Sequence, residues 1–390
     1  MAKLKLNKFI NTRQENINTV FFYFPLSIWL FSELLIRNTT ITRLFSIDAI
    51  FVANTFTSLA FLFLLTKALI FQKYTILKLL LMLVVTFIIL ISFFVSRSPI
   101  LINSVIFIFA CQNVSLKKVA KIIFYAHLII IPIVFFLSFV NIIPNYSMMR
   151  LGESLVRHSL GFRHPNLLGA RFLQMSLALI IWKWNKLSFW HYTLVIIFSV
   201  FTLIVSDSRS SVLAMISLVL LIIVQKMISN KMLERAFLWL LFILVLLSQL
   251  MSIFSLFIVQ RNSHIYHTIN QLFTGRMYWN LRAMREYGLN LFGNNVFMFI
   301  GGETCFGSGN GIMLDNSYVH LAVRFGVLIL TIFIIATFLI FFKNVKKLNY
   351  AVLIPLTVMS VYGMMELYTI MLSYNLTILY FGTLVFNTRE

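Results

Sequence analysis

Four short polar strings interrupt an otherwise apolar chain, and arginine anchors three of them. The first is Ser206-Asp207-Ser208-Arg209-Ser210-Ser211, with apolar runs on both sides and almost no loop, so Arg209 is expected at membrane depth with Asp207 as a local partner. The second, Arg163-His164-Pro165-Asn166, opens an apolar run in which Arg171 follows about two helical turns later, roughly on the same face. Pro165 suits the first turn of that helix. The third is the string from Arg276 to Tyr287, RMYWNLRAMREY, which has the pattern of an amphipathic helix carrying Arg282, Arg285 and Glu286. The fourth, Leu314-Asp315-Asn316-Ser317-Tyr318, stands at the mouth of another apolar run. A guanidinium is permanently charged and presents a planar fork that fits phosphate and carboxylate oxygens. Several arginines around a carboxylate are therefore the equipment for gripping a phosphate or diphosphate beside a group that accepts a proton. Plainer readings compete at each place. Asp207 and Arg209 form a self-satisfied turn, His164 only starts a helix, Asp315 is an N-cap, and outer arginines snorkel to lipid headgroups or pair with nearby acids.

The elements that must position these residues follow from composition. Of 390 residues, 60% are hydrophobic and 11% charged, against about half and about a quarter in soluble domains. One soluble core cannot hide that much apolar surface, whereas lipid as solvent removes the difficulty. Runs of spanning length fall near 17–36, 45–66, 76–95, 98–114, 120–142, 165–184, 190–206, 210–228, 236–258, 316–342, 349–365 and 369–387. The expectation is an all-α polytopic membrane protein of about twelve helices, forming a single integral membrane domain over 1–390. The turn Ser96-Arg97-Ser98-Pro99 makes spans three and four a helical hairpin. One connector is long: residues 259–315, between predicted helices nine and ten, which is the size of a functional loop. It holds Arg261, His264, His267 and the Arg276–Tyr287 string, and ends in a glycine-rich run from Gly301 to Gly311.

Basic residues set sidedness. With the N-terminus in the cytoplasm, all sixteen lysines fall on the cytoplasmic side and an even number of crossings returns the C-terminus there. The outer half then carries thirteen arginines and no lysine, together with Glu33, Asp48, Glu153, Asp207, Glu286, Glu303, Asp315 and Glu366. The positive-inside rule treats lysine and arginine alike, so an arginine-only outer face points to an anionic ligand there. The net charge of +21 reads as cytoplasmic positive charge and attraction to anionic membrane lipids, so no nucleic acid is expected as a partner. Cys111 and Cys305 lie toward opposite faces and cannot pair, and no metal-ligand spacing or nucleotide-binding glycine motif is present. The first apolar run is long and followed by many others, so no cleavable signal is expected.

The order of these strings resembles a known family. It runs HPNxLG from His164, SRSS from Ser208, Gly275-Arg276 followed by Trp279, then DNSY from Asp315, with Arg324 and Gly326 after it. The pattern is similar to that of the bacterial polysaccharide polymerases of the Wzy type and the related O-antigen ligases, over most of residues 155–335. The resemblance implies a GT-C-like membrane glycosyltransferase in the cytoplasmic membrane of a bacterium. Such enzymes move a glycan from a polyprenyl diphosphate carrier to an acceptor sugar on the outer side. It further implies flippase and chain-length regulator proteins as partners. Arg209 and Arg276 fall on the family arginines expected to bind the donor diphosphate. Asp315-Asn316 stands where the ligases have His-Asn, a departure that favours polymerase over ligase.

On that reading Arg209, Arg276 and Asp315 are the expected catalytic residues. Arg163, His164, Asn166, Arg171, Asp207, Arg282, Asn316, Tyr318 and Glu366 are expected to bind substrate. Asp315 ranks first as base, with Glu366, His264 or His267 second, and Tyr278, Trp279 and Tyr318 suit equally the stacking of sugar rings and ordinary anchoring at the membrane interface. The carrier is already activated, so no cofactor is expected, and fixed arginine charge removes the demand for a metal. The rivals are a ligase of the same family, a flippase for the same lipid-linked sugar, and a non-enzymatic component of an assembly machine. A transporter is expected to show internal repeats, and none stands out here.

Overall fold

The computed structural model describes Thr12 and residues 14–44, 46–149, 155–257, 264–272, 275–298 and 311–386. The protein is mostly helical, an all-α polytopic membrane architecture. Among the described residues eight helices are long and apolar enough to cross a membrane: Gln14–Arg37, Ala49–Phe71, Ile76–Ser96, Leu116–Phe139, Phe189–Ser206, Arg209–Met227, Lys231–Phe254 and Val327–Val345. Each corresponds to a predicted span. The other four predicted segments differ in kind. Ile100–Ala110 and Tyr350–Tyr362 are short helices, and the last segment is a 3-10 helix, Leu376–Phe381, running into one α-helical turn, Gly382–Val385. Pro165–Lys183 is long enough but carries Arg171 and Gln174, and every residue from Leu168 to Ile181 is buried. Hydropathy marks neither where a helix ends nor whether other helices enclose it, which is why the sequence reads all four as spans. Among the described residues the sheet structure is a small antiparallel hairpin, Ser147–Met149 with Val156–His158, and two isolated bridges.

The chain divides into two compact units. The first comprises Met1–Leu79, Val105–Ser208 and Gly382–Glu390. Its centre is Pro165–Lys183, packed against Leu116–Phe139 and Phe189–Ser206. Phe172 is the pivot, with ring centroids 5.3 Å from both Phe198 and Phe201, while Phe135 lies 5.8 Å from Phe201.

The second unit comprises Leu80–Ser104 and Arg209–Phe381. Its centre is the short helix Tyr350–Tyr362, buried along most of its length and packed against Arg209–Met227, Lys231–Phe254 and Val327–Val345. The sequence pattern predicts one continuous helix over 316–342, but the chain breaks at Gly326 between a short turn over Leu321–Phe325 and Val327–Val345. The break has a packing cause. Asn294 donates to the Arg324 carbonyl at 3.0 Å and Val327 to the Asn290 carbonyl at 3.0 Å, so the return of the long loop lies backbone to backbone on the break. A Cβ on Gly326 would sit 2.3 Å from the Leu291 carbonyl oxygen, and one on Gly293 would sit 2.1 Å from that of Arg324.

Gly326 has φ +104 and ψ 155, a region that costs other residues about 1–3 kcal/mol. Gly288 also has a positive φ, with nothing near its absent Cβ. Gly326→Ala is expected to lower the melting temperature of the detergent-purified protein further than Gly288→Ala does. Equal shifts would mean that close backbone approach does not limit stability here.

Candidate active site

Three distant stretches of the second unit meet at one guanidinium, and a fourth joins them through Glu366. Arg276 is the first residue of the helix Arg276–Tyr287, which the sequence places correctly, following Gly275 in a left-handed conformation. That helix is tied down by Asn280, whose amide donates to the Ser255 hydroxyl at 3.1 Å, and by the Tyr278 amide, which donates to Asn270 at 3.0 Å. Arg276 Nη2 reaches Glu366 Oε1 at 3.0 Å and its Nε lies 3.4 Å from Asp315 Oδ2. Glu366 follows the end of Tyr350–Tyr362 and is only 2% exposed at its side chain. Ser210, in the first turn of Arg209–Met227, donates to the same Glu366 oxygen at 2.7 Å. Below it Ser211 and the Tyr362 hydroxyl lie 3.1 Å apart.

Asp315 is not the N-cap of the following helix. That task falls to Asn316, whose side-chain oxygen accepts from the backbone amides of Tyr318 at 3.0 Å and Val319 at 3.2 Å. The Asn316 amide in turn donates to Ser252 at 2.9 Å, and Ser317 donates to the Glu366 carbonyl at 2.6 Å. With capping assigned to its neighbour, Asp315 is left to face Arg276. Burial pushes the Asp315 carboxyl above the ordinary carboxylate range, and Arg276, shared with Glu366, pulls it back only in part. For Arg276, burial disfavours the charge, but Glu366 and then Asp315 more than offset it and hold the guanidinium above its usual value.

The remaining expectations sort by environment. Arg282 pairs with Glu286 at 2.5 Å and lies 5.4 Å from the Trp279 ring. With Tyr266, Tyr278, Leu281 and Arg285, these two residues line a cavity of about 320 Å³ beside the helix. Tyr318 is 1% exposed, donates to the Ser360 carbonyl at 2.9 Å, and is thereby a core residue, not a face for a sugar. Arg209 is the first residue of its helix and is exposed. His267 lies edge-on to Tyr266, with ring centroids 5.5 Å apart. Arg261, the His264 ring, Cys305, Glu303 and the run 299–310 lie outside the described residues. Among the described residues no cluster of histidine, cysteine, aspartate and glutamate is arranged for a metal.

The other expected binding residues belong to the first unit. His164 is the N-cap of Pro165–Lys183, accepting from the Asn166 amide at 3.0 Å, which is the plain reading of a helix-start histidine. Asn166 accepts from Arg157, whose Nε donates to the Ser206 carbonyl at 2.8 Å. Arg163 donates to the Thr39 carbonyl at 3.2 Å and the Thr42 hydroxyl at 2.9 Å. Asp207 ends Phe189–Ser206 in a left-handed conformation and is buried. Arg171 is fully buried, donating to Gln174 at 3.2 Å, and Glu33 pairs with Arg37 at 3.0 Å within the field of the Arg171 charge.

The roles of Ser252 and Ser255, which hold Asn316 and Asn280, were not read from the sequence, although their spacing in an apolar run is a visible signal. No protein-family model, curated protein or solved structure matches this chain.

Because its carboxyl is raised in the fold, Asp315 favours the folded state most when it is protonated. That contribution is complete below the ordinary carboxylate value and is lost as pH rises through the elevated one. Asp315→Asn is expected to flatten this limb of a melting-temperature profile against pH. An unchanged profile would show that Asp315 does not titrate with folding.

Proposed function

We propose that this chain is a polysaccharide polymerase that joins polyprenyl-diphosphate-linked oligosaccharide repeat units on the outer face of a bacterial cytoplasmic membrane. The observation that carries the reading is the meeting of Arg276, Asp315 and Glu366, residues spread over ninety positions of sequence. A permanent cation beside a carboxylate of raised proton affinity suits a reaction in which a diphosphate leaves and a hydroxyl must lose a proton.

In the proposed step an acceptor sugar hydroxyl attacks the anomeric carbon of the donor glycan. The bond from that carbon to the carrier diphosphate breaks, its electron pair leaves with the diphosphate, and the hydroxyl proton passes to Asp315. Arg276 and Arg209 stabilise the charge that develops on the leaving group, each by on the order of 2–4 kcal/mol. The cavity beside Arg282 and Tyr278 offers cationic and aromatic surface to the sugars of the repeat unit.

The same reading keeps twelve crossings, a GT-C-like arrangement and cytoplasmic termini. Were the short helix Ile100–Ala110 not to return the chain across the membrane, Lys117, Lys118 and Lys121 would emerge on the outer side and the lysine segregation would fail. A flippase for the same lipid, or a ligase with a different acceptor, shares the donor chemistry. Reconstitution with carrier-linked repeat units separates them: elongation means polymerase, transfer to an unlike acceptor means ligase, and movement without new bonds means flippase.

Arg209→Ala and Arg276→Ala are expected to remain folded in the membrane yet yield no polymer, with single-repeat carrier lipid accumulating. Arg209→Lys is expected to fail as well, because one ammonium cannot reproduce a bidentate grip. Normal-length polymer from both alanine variants would defeat the assignment.

A further inference from the structure

The guanidinium on which the proposed chemistry depends is already engaged. Arg276 spends Nη2 on Glu366 at 3.0 Å and turns Nε toward Asp315 at 3.4 Å. A diphosphate arriving at Arg276 meets two carboxylates that hold the same donors, and like charges at that spacing repel strongly in a partly buried site. The two carboxylates are not equivalent. Asp315 is 20% exposed at its side chain, whereas Glu366 is 2% exposed and has a second donor, the Ser210 hydroxyl at 2.7 Å on the oxygen that Arg276 also contacts.

We infer that Glu366 is a built-in competitor for Arg276: in the resting site it occupies the guanidinium, and an incoming diphosphate takes the guanidinium from it. Ser210 is the group that retains Glu366 when this happens, since its hydrogen bond does not involve Arg276. The exchange also withdraws Arg276 from Asp315, leaving that carboxylate more basic at the moment a proton acceptor is needed. Glu366 is on this view a positioning residue. It keeps Arg276 folded inward and stops the site from holding stray phosphates tightly. The inference rests on the reading of Arg276 as a diphosphate-binding residue, and it goes further by giving Glu366 an effect on affinity opposite to that of a ligand-binding group.

The test is direct binding of geranylgeranyl diphosphate to the purified full-length protein in nanodiscs, by calorimetry at neutral pH. Glu366→Gln keeps the shape of the side chain and its acceptor oxygen for Ser210 while removing the charge. It is expected to tighten binding about fivefold or more, and Asp315→Asn less so because its contact is longer. Glu15→Gln, which removes a carboxylate that pairs with Lys118 instead, is expected to leave affinity unchanged. Arg276→Ala is expected to weaken binding at least tenfold. If Arg276→Ala weakens binding while Glu366→Gln weakens it or leaves it unchanged, the competitor role is overturned and the diphosphate site stands. Equal tightening by Glu366→Gln and Glu15→Gln also overturns it, since a general field effect then suffices. If Arg276→Ala binds like the unaltered protein, the diphosphate site itself falls. Should Glu366→Gln not be recovered folded, Ser210→Ala, which removes the donor that retains Glu366, is expected to weaken binding, and unchanged or tighter binding there overturns the inference.

Discussion

A charged guanidinium in a largely buried site imposes conditions on everything around it. Removing one partner from a buried ion pair leaves an uncompensated charge at a cost of about 3–5 kcal/mol, so the surroundings of Arg276 are tightly specified. Two carboxylates meet it from different parts of the chain, and each has to be delivered by its own element. Glu366 arrives at the end of Tyr350–Tyr362, whose length and burial fix where the chain emerges. Asp315 arrives because Asn316 takes over the capping of the next helix and fastens it to Ser252. Arg276 itself is aimed by a helix pinned through Asn280 to Ser255. The serines of one apolar helix thus hold the segments that carry the charges.

Much of this was legible in the residues. The helix from Arg276 to Tyr287 follows from its own pattern, and eight of the apolar segments have the length their hydropathy implies. Arg276 and Asp315 stood out because charge is rare in such a chain. What stayed hidden depends on contacts that periodicity does not encode. Nothing local distinguishes Tyr350–Tyr362, enclosed by three helices, from a segment facing lipid. Asp315 and Asn316 are equally good cappers by type, and only the geometry assigns the task to Asn316. Tyr318 sits next to the site in sequence, yet its hydroxyl is spent on the Ser360 carbonyl inside the core. The break at Gly326 is readable only with the second backbone that presses on it.

The first unit solves a related problem by different means. Arg171 lies within Pro165–Lys183, buried from all directions, and shares its surroundings with Gln174 on the same helix and with the charge of Glu33. Around this polar core the packing is aromatic, with Phe172 against Phe198 and Phe201. Rings supply large contact area with little rotamer entropy to lose, which suits a helix that must be held without lipid on any side. His164 and Asn166 begin that helix and fasten it to Arg157. The polar residues at its head are thereby explained by folding before any ligand is invoked.

The helix Tyr350–Tyr362 also bears on how the molecule is made. Thirteen residues rise only about 20 Å, well short of a hydrocarbon layer of about 30 Å. Such a segment gains too little from lipid to be held there by its own hydrophobicity. Its retention depends on Arg209–Met227, Lys231–Phe254 and Val327–Val345, all of which are synthesised before it. Glu366, which follows it, is therefore among the last groups to reach its position. During biogenesis the chain passes through a stage in which its apolar spans are in the bilayer while Arg276 has yet to meet Glu366.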